Sequence, residues 1–352
     1  MIKQLHDFSL VSLNTFGMRV RAAEFIEYDS MADFFDIEFE SLPEPLLHIG
    51  GGSNLLFTGD FPGTVLHSAI KFITPLDDCC PDGIRVSVGA GVCFDDFCSW
   101  AASQCLWGVE NLSHIPGEVG AAAVQNIGAY GVEVKDIIET VYCYDLEEEE
   151  FVHFDVSECA YGYRDSFFKK EEVKGRYIVT HVIFRLTKTY SPRLDYGHLK
   201  EAVENAASES SGAITPELVR NVVISIRKSK LPDVSDLGSA GSFFKNPVVA
   251  YDVFEAVDKY AKEKYGNDYK TPHYDAGDGL VKIPAAWLIE QCGWKGYSEG
   301  NVGVYEKQPL VIVNKTGKAR PSEIIALENK IMDSVEDTFS IRLSPEVEHV
   351  NS

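Results

Sequence analysis

Two glycine clusters are the first places where this sequence could hold a ligand. Gly50-Gly51-Gly52-Ser53-Asn54 lies between the apolar runs Leu46 to Ile49 and Leu55 to Phe57, a strand, turn, strand pattern. Consecutive glycines leave backbone N–H groups that can nest an anion such as a pyrophosphate, and Ser53 and Asn54 add donors. The second cluster, Ile115 to Asp136, contains Gly117, Gly120, Gly128 and Gly131, the short Ala121, Ala122 and Ala123, and the amides Gln125 and Asn126. Its glycines permit tight turns and close ligand approach, its alanines leave room for a flat ring system, and its amides can pair the edge of a heterocycle. A Gly/Ala loop packed for structural reasons is an equal reading of that stretch alone; the first cluster tilts the balance toward a cofactor cradle. Neither is a dinucleotide fingerprint, since Leu55 stands where a third glycine belongs, and Gly317-Lys318 is followed by Ala319, so there is no Walker loop.

Four further stretches carry polar chemistry. Tyr163-Arg164-Asp165-Ser166 follows a strand pattern, where an arginine is by default a surface or ion-pairing residue. In Gly241-Ser242-Phe243-Phe244-Lys245-Asn246-Pro247 the serine reads as turn chemistry, because the order is not that of a nucleophile elbow. Arg227-Lys228-Ser229-Lys230 puts three cations in four residues, either to complement a helix C-terminus or, in an acidic protein, to bind an anion. Ser344-Pro345-Glu346-Val347-Glu348 alone is an ordinary acidic tail.

The two clusters, with Asn14-Thr15-Phe16-Gly17 upstream and Ser344 to Val347 at the end, resemble the UDP-N-acetylenolpyruvoylglucosamine reductases, the MurB family, over nearly the whole chain. The resemblance implies an α+β protein: a vanillyl-alcohol-oxidase (PCMH) type FAD-binding fold of two subdomains, 1–70 and 71–213, a C-terminal α+β substrate domain, 214–340, and a tail, 341–352. It implies noncovalent FAD held by Gly50, Gly51, Gly52, Ser53, Asn54, Pro116, Gly117, Val119, Gly120, Ala121, Gln125, Asn126, Gly128 and Arg227. NADPH would be the reductant, passing a hydride by way of FAD to C3 of the enolpyruvyl group of UDP-N-acetylglucosamine enolpyruvate in peptidoglycan precursor synthesis. Arg164 would support the substrate carboxylate, Ser242 would give the proton to C2, and Glu346 would be the catalytic glutamate. Tyr163, Tyr196, Lys230, Asn246, Lys295 and Gln308 would bind substrate, with Tyr196 on the tyrosine-bearing loop of the family's longer type. Glu118 stands where the family usually has a small residue such as Ser, Ala123 where Pro is common, and Ser344 where its tail motif has Glu.

Two rival readings remain on the residues. An oxygen-using oxidase of the same type often tethers FAD through a His near the glycine turn, where Ser53 follows Gly52 here. A non-catalytic nucleotide-sugar binder has no need of Arg164, Ser242 and Glu346 together.

Composition bounds the rest. The 352 residues suit two or three domains, and the formal charge of −22 opposes nucleic-acid or anionic-membrane partners. Eight cysteines without C-x-x-C spacing read as reduced thiols of a cytoplasmic protein, the N-terminus lacks the apolar core of a signal peptide, and a monomer is expected.

Elements must position these residues. Alternation predicts a first α+β unit over 1–70, a strand at Ile84 to Val88, a hairpin turning at Asp145 to Glu150, and a strand at Tyr177 to Leu186. Helical spacing of Phe94, Phe97, Ala101 and Cys105 predicts a helix with Asp95 and Asp96 in its first turn. Further helices are expected from about Thr215, over Ala285 to Cys292, and over Ser322 to Thr338. The composition of 204–213 suggests a linker.

Overall fold

A computed structural model describes residues 1–76, 83–209 and 212–351. Cys79 and Cys80, and Ser210 and Ser211 of the expected linker, lie outside the described residues. Two compact units divide the chain, and neither is one continuous stretch: Met1–Ser9, Arg21–Gly52 and Asp60–Ser229 form the first, and Leu10–Val20, Ser53–Gly59 and Lys230–Ser352 the second.

The first unit holds two larger sheets and the two-stranded hairpin Gly128–Ala129 with Val132–Glu133. One has the order Lys3–Ser9, Arg21–Tyr28, Phe61–Ser68, Leu46–Ile49, with its first pair antiparallel and the others parallel. No α-helix occurs in 1–70, where short 3-10 turns stand instead, so the helical part of that expectation is corrected. The other sheet is antiparallel throughout, in the order Glu150–Asp155, Ile138–Asp145, Tyr177–Thr187, Gly83–Gly89, Ile73–Pro75. Helix α1 (Phe94–Ser103) buries Phe94, Phe97, Cys98 and Ala101 against this sheet's Val86, Val88 and Phe184. Cys105, expected on that helix, lies beyond its end at φ 55° and is exposed.

Helix α2 (Val119–Gln125) takes up the alanine run and stops where Asn126 turns left-handed at φ 47°. Its Ala122 and Ala123 are buried in the same core, so these two short side chains let the helix sit on the sheet and do not face a ligand; only Ala121 is exposed. Helix α3 (Leu199–Glu209) occupies much of the expected linker, because Leu199, Val203 and Ala207 recur at four-residue spacing and bury one stripe. They pack with Val219 and Val223 of helix α4 (Pro216–Lys230) and with Trp107.

In the second unit, Val248–Ala250, Leu280–Lys282 and Tyr274–Asp275 form one small sheet, and Ser298–Glu299, Val302–Val304 and Ile312–Asn314 another. Helices α5 (Tyr251–Tyr265), α6 (Ala285–Gln291) and α7 (Pro321–Phe339) accompany them. Helix α7 starts with Pro321 at its first position and Glu323 accepting from the Arg320 N–H at 2.8 Å, then buries Ile324, Leu327, Ile331 and Val335. The Asn14 amide bonds the carbonyls of Leu10 and Met18 and the N–H of Met18, and so knits its loop shut. That loop lies against Gly238, where a Cβ would come within 2.3 Å of the Phe16 carbonyl oxygen; only glycine fits.

Leu55–Phe57 pairs in parallel with Glu348–Val350, which fixes the end of the chain. On that last strand His349 Nε2 lies 3.0 Å from Oε2 of Glu328, a carboxylate only 3% exposed on helix α7. The carboxylate holds the His349 pKa above its ordinary 6.5. A raised histidine pKa stabilises the fold fully below the unfolded value and ceases to do so as pH rises through the folded one. His349→Ala is therefore expected to cost about 1–3 kcal/mol near pH 6, by leaving a buried carboxylate without its cation, and less at high pH. Urea midpoints of parent and variant across that range check this; a pH-independent difference would contradict it.

Candidate active site

The fold brings the two glycine clusters together inside the first unit. A Cβ placed on Gly51 would lie 3.8 Å from the Gly117 Cα, and one on Gly50 would press to 3.1 Å from the Ala121 Cβ and 3.2 Å from Oε2 of Glu118. Two backbones thus approach each other with almost no side chain between them. Gly52 turns at φ 62°, a left-handed conformation that favours glycine. Val119 and Gly120 also have structural duties. The Val119 side chain is fully buried in the core and its N–H bonds the Val92 carbonyl, while the Gly120 N–H bonds that of Ala90. A Cβ on Gly120 would meet the Ala90 Cβ at 3.0 Å, so this glycine lets helix α2 pack against the turn that follows strand Gly83–Gly89. Pro116, by contrast, is exposed beside Gly117.

Beyond helix α2 the amides divide their tasks. Asn126 is fully buried, and its side chain bonds Glu133 Oε2, the Gly162 carbonyl and the Lys135 N–H, so it ties the Gly128–Glu133 hairpin to the Tyr163 turn. Gln125 accepts from Lys169 Nζ at 2.9 Å, but its own Nε2 is buried without a hydrogen-bond partner. Such an orphan is costly unless something is meant to pair it. Arg164 sits in left-handed backbone at φ 55°, with Nη2 donating to the Gly128 carbonyl at 2.8 Å and Nη1 to that of Asn126 at 3.4 Å. Its guanidinium lies over the Tyr163 ring, 5.5 Å from the centroid. A planar fork fixed on two carbonyls is preorganised to meet a carboxylate.

A second group of side chains borders the hairpin. Tyr196 packs edge-on against Tyr130 at 6.0 Å and lies 3.5 Å from the space beside Gly131. Asn111 donates to the carbonyls of Tyr130 and Arg193, joining the 188–196 loop to the hairpin. Arg227 on helix α4 bonds the His114 carbonyl at 3.1 Å; burial lowers its pKa, and the neighbouring Arg164 adds to that. Burial raises the Tyr130 hydroxyl, against the pull of Arg227. Asp95, bonded by both Nη atoms of Arg220 and by the His114 N–H, holds that corner.

The second unit joins Ser242 and Glu346 across about a hundred residues of sequence. The Glu346 N–H bonds the Phe243 carbonyl at 2.8 Å, and the Lys245 N–H bonds that of Ser344 at 2.9 Å. Ser242 and Glu346 are both half-buried. Asn54, expected to face a cofactor, donates from its side chain to the Glu346 carbonyl at 3.0 Å and accepts, through its backbone carbonyl, from the Glu348 N–H. Ser53 opens the same segment. Asn246 Oδ1 accepts from the Ala285 N–H at the start of helix α6, a helix-capping task that its expected substrate role did not foresee. Lys295 pairs with Glu290 on the exposed surface, Gln308 shapes the turn to Val311, and Lys230 ends helix α4 in solvent.

A model of a FAD-binding domain matches residues 40–155, and one of the C-terminal domain of UDP-N-acetylenolpyruvoylglucosamine reductase matches 233–350. The chain is 47% identical over 344 residues to the UDP-N-acetylenolpyruvoylglucosamine reductase of Bacteroides fragilis strain YCH46, covering 97% of this chain and 99% of that one. It belongs to the UDP-N-acetylenolpyruvoylglucosamine reductase family. The reductase of Chromobacterium violaceum is 44% identical, with 97% of each chain covered. Among solved structures, the MurB reductase of Thermus caldophilus shares the fold at a TM-score of 0.65, with 23% identity over 99% of this chain and 98% of the other.

The residues of this reductase fit FAD on two observations, the apposed glycine backbones and the unpaired Gln125 Nε2. Lys169, which bonds both Gln125 and the Arg164 carbonyl, was not among the expected site residues. A lysine after two phenylalanines carries no local signal. The same holds for His67, whose partner Glu118 is 51 residues away. Because Gly51 faces only Gly117 while Gly120 faces Ala90, the two valine variants should separate. Gly51→Val is expected to change stability by under about 1 kcal/mol and to weaken FAD at least about tenfold, whereas Gly120→Val should cost about 1–3 kcal/mol through overpacking. Urea midpoints and flavin fluorescence read the two effects, and a destabilised Gly51→Val would refute the assignment of that gap to the cofactor.

Proposed function

We propose that this chain reduces the enolpyruvyl group of UDP-N-acetylenolpyruvoylglucosamine with NADPH to give UDP-N-acetylmuramate, a step of peptidoglycan precursor synthesis. The observation that carries this reading is full-length identity of 47% to the Bacteroides fragilis reductase. FAD, noncovalently bound, supplies the hydride transfer between NADPH and the enolpyruvyl C3. The first unit's Gly50 to Gly52, Gly117, Ala121, Gln125 and Gly128 hold it, and Arg227 supports the His114 turn beside them. Val119, Gly120 and Asn126 build the frame. We assign the enzyme to the cytoplasm, as a monomer serving wall growth and hence cell shape and division. Among the described residues, no helix is long and apolar enough to cross a membrane.

The chain's own work is to bind, orient and move a proton. Addition at C3 leaves negative charge at C2 that spreads into the adjacent carboxylate, so a cation already fixed there stabilises the transition state more than the ground state. Arg164 takes this role because its plane is set by the Asn126 and Gly128 carbonyls before substrate arrives. Ser242 delivers the proton to C2, and Glu346, on a segment hydrogen-bonded to Phe243, polarises the developing enediolate. Tyr163, Tyr196 and Lys230 bind substrate; Asn246, Lys295 and Gln308 act through the loops they hold.

Replacing the proton donor tests the assignment. Ser242→Ala should accept reducing equivalents from NADPH at near-parental rate, since no substrate carbon takes part in that half-reaction. Reoxidation by the enolpyruvyl sugar should slow by about 10² to 10⁴. Stopped-flow absorbance of the flavin follows both. Equal slowing of both halves would contradict the role and make the loop a structural support; undiminished reoxidation would move the acid to Glu346.

A further inference from the structure

Glu118 poses a problem at the glycine turn. A carboxylate there would repel a diphosphate, yet its Oε2 lies 3.2 Å from the position a Gly50 Cβ would take. The other oxygen, Oε1, is 3.1 Å from His67 Nε2, and His67 Nδ1 is 3.0 Å from Glu27 Oε2. The His67 side chain is 8% exposed. An ionised carboxylate only accepts hydrogen bonds, so an imidazole placed between two of them satisfies both only with a proton on each ring nitrogen. The arrangement is that of an imidazolium clamped between Glu27 and Glu118.

We infer that His67 is a positioning residue for cofactor binding: its imidazolium neutralises Glu118 and holds it beside the Gly50 turn, so that the cradle accepts the FAD pyrophosphate. The inference rests on the flavin reading above. It explains how a chain with a carboxylate at position 118 keeps an anion site. The groups facing His67 are few. Strand Arg21–Tyr28 gives Glu27, which Lys3 of the neighbouring strand approaches at 3.9 Å. Glu24 on that strand is buried and engaged by Gln4 and His6. Strand Leu46–Ile49 gives His48, bonded to the Tyr28 hydroxyl and held at a pKa of about 3 by burial and by the charge of His67, so it stays neutral. Glu118 comes from the turn before helix α2. Burial opposes the charge on His67, but the two carboxylates outweigh it and raise its pKa above 6.5.

The consequence is a pH-dependent cofactor affinity of definite sign. Below the raised pKa Glu118 is neutralised; as pH climbs through it, the proton leaves and the carboxylate repels the pyrophosphate. Release of FAD from the diluted holoenzyme, read by flavin fluorescence between about pH 6 and pH 9, should show the dissociation constant rising about tenfold or more. His67→Gln should be weak throughout, Glu118→Gln tight and flat with pH, and the double variant restored to near-parental affinity, which a merely misfolded His67→Gln would not allow. A flat parental profile, or a double variant as weak as His67→Gln, would overturn the inference. A parent that holds no FAD at any pH would instead overturn the flavin reading itself.

Discussion

The close approach of two backbones, with the Gly117 Cα 3.8 Å from where a Gly51 Cβ would stand, is the constraint to which the rest of the first unit answers. Such an approach is possible only if helix α2 sits low on the antiparallel sheet. Ala122 and Ala123 below it, and Gly120 against Ala90, provide that. Asn126 then ends the helix in left-handed backbone and spends its side chain on the hairpin and on Gly162, which delivers Arg164 to the carbonyls of Asn126 and Gly128. A single short helix thus sets both the gap that we propose for the cofactor and the plane of the guanidinium. The fixed partial charges it organises need no rearrangement when the substrate's charge develops.

The second unit answers to a different constraint, the return of the last residues to an early strand. Leu55–Phe57 and Glu348–Val350 pair in register, and the Phe243 to Glu346 hydrogen bond places the serine loop beside the tail. The Asn14 loop fills the space against Gly238 and receives the Asn314 amide on the Phe16 carbonyl. Residues that look like family markers in the sequence work as backbone ties: Asn14 closes its own loop between Leu10 and Met18, and Asn54 reaches the carbonyl of Glu346 near the end of the chain.

That difference marks what was legible. Periodicity revealed the Phe94 helix up to its C-terminal end, the hairpin at Asp145 to Glu150, and the terminal helix nearly to the residue, because each buries one face of a regular pattern. The family was legible from the two glycine clusters taken with the Asn14 and Ser344 stretches, since the second cluster alone reads equally well as structural packing. Composition misled at 204–209, where Glu, Asn and Ser cover the exposed face of a helix whose buried stripe is only Leu199, Val203 and Ala207. The amides of Asn54, Asn126 and Asn246, whose residue type suggests ligand contacts, also bond backbone groups, a task that carries no local signal in the sequence. His67 was invisible as a site residue because its meaning lies in two carboxylates 40 and 51 positions away.

One chain couples NADPH oxidation to reduction of an enolpyruvyl sugar through a flavin, which we place in the glycine cradle. The most direct test of that coupling is anaerobic. Protein carrying FAD is bleached with one equivalent of NADPH, and UDP-N-acetylenolpyruvoylglucosamine is then added without oxygen. Full return of the yellow colour, with one equivalent of UDP-N-acetylmuramate formed, is the predicted result. Protein that stays bleached until air is admitted would contradict the account and point to an oxygen-using enzyme on the same fold.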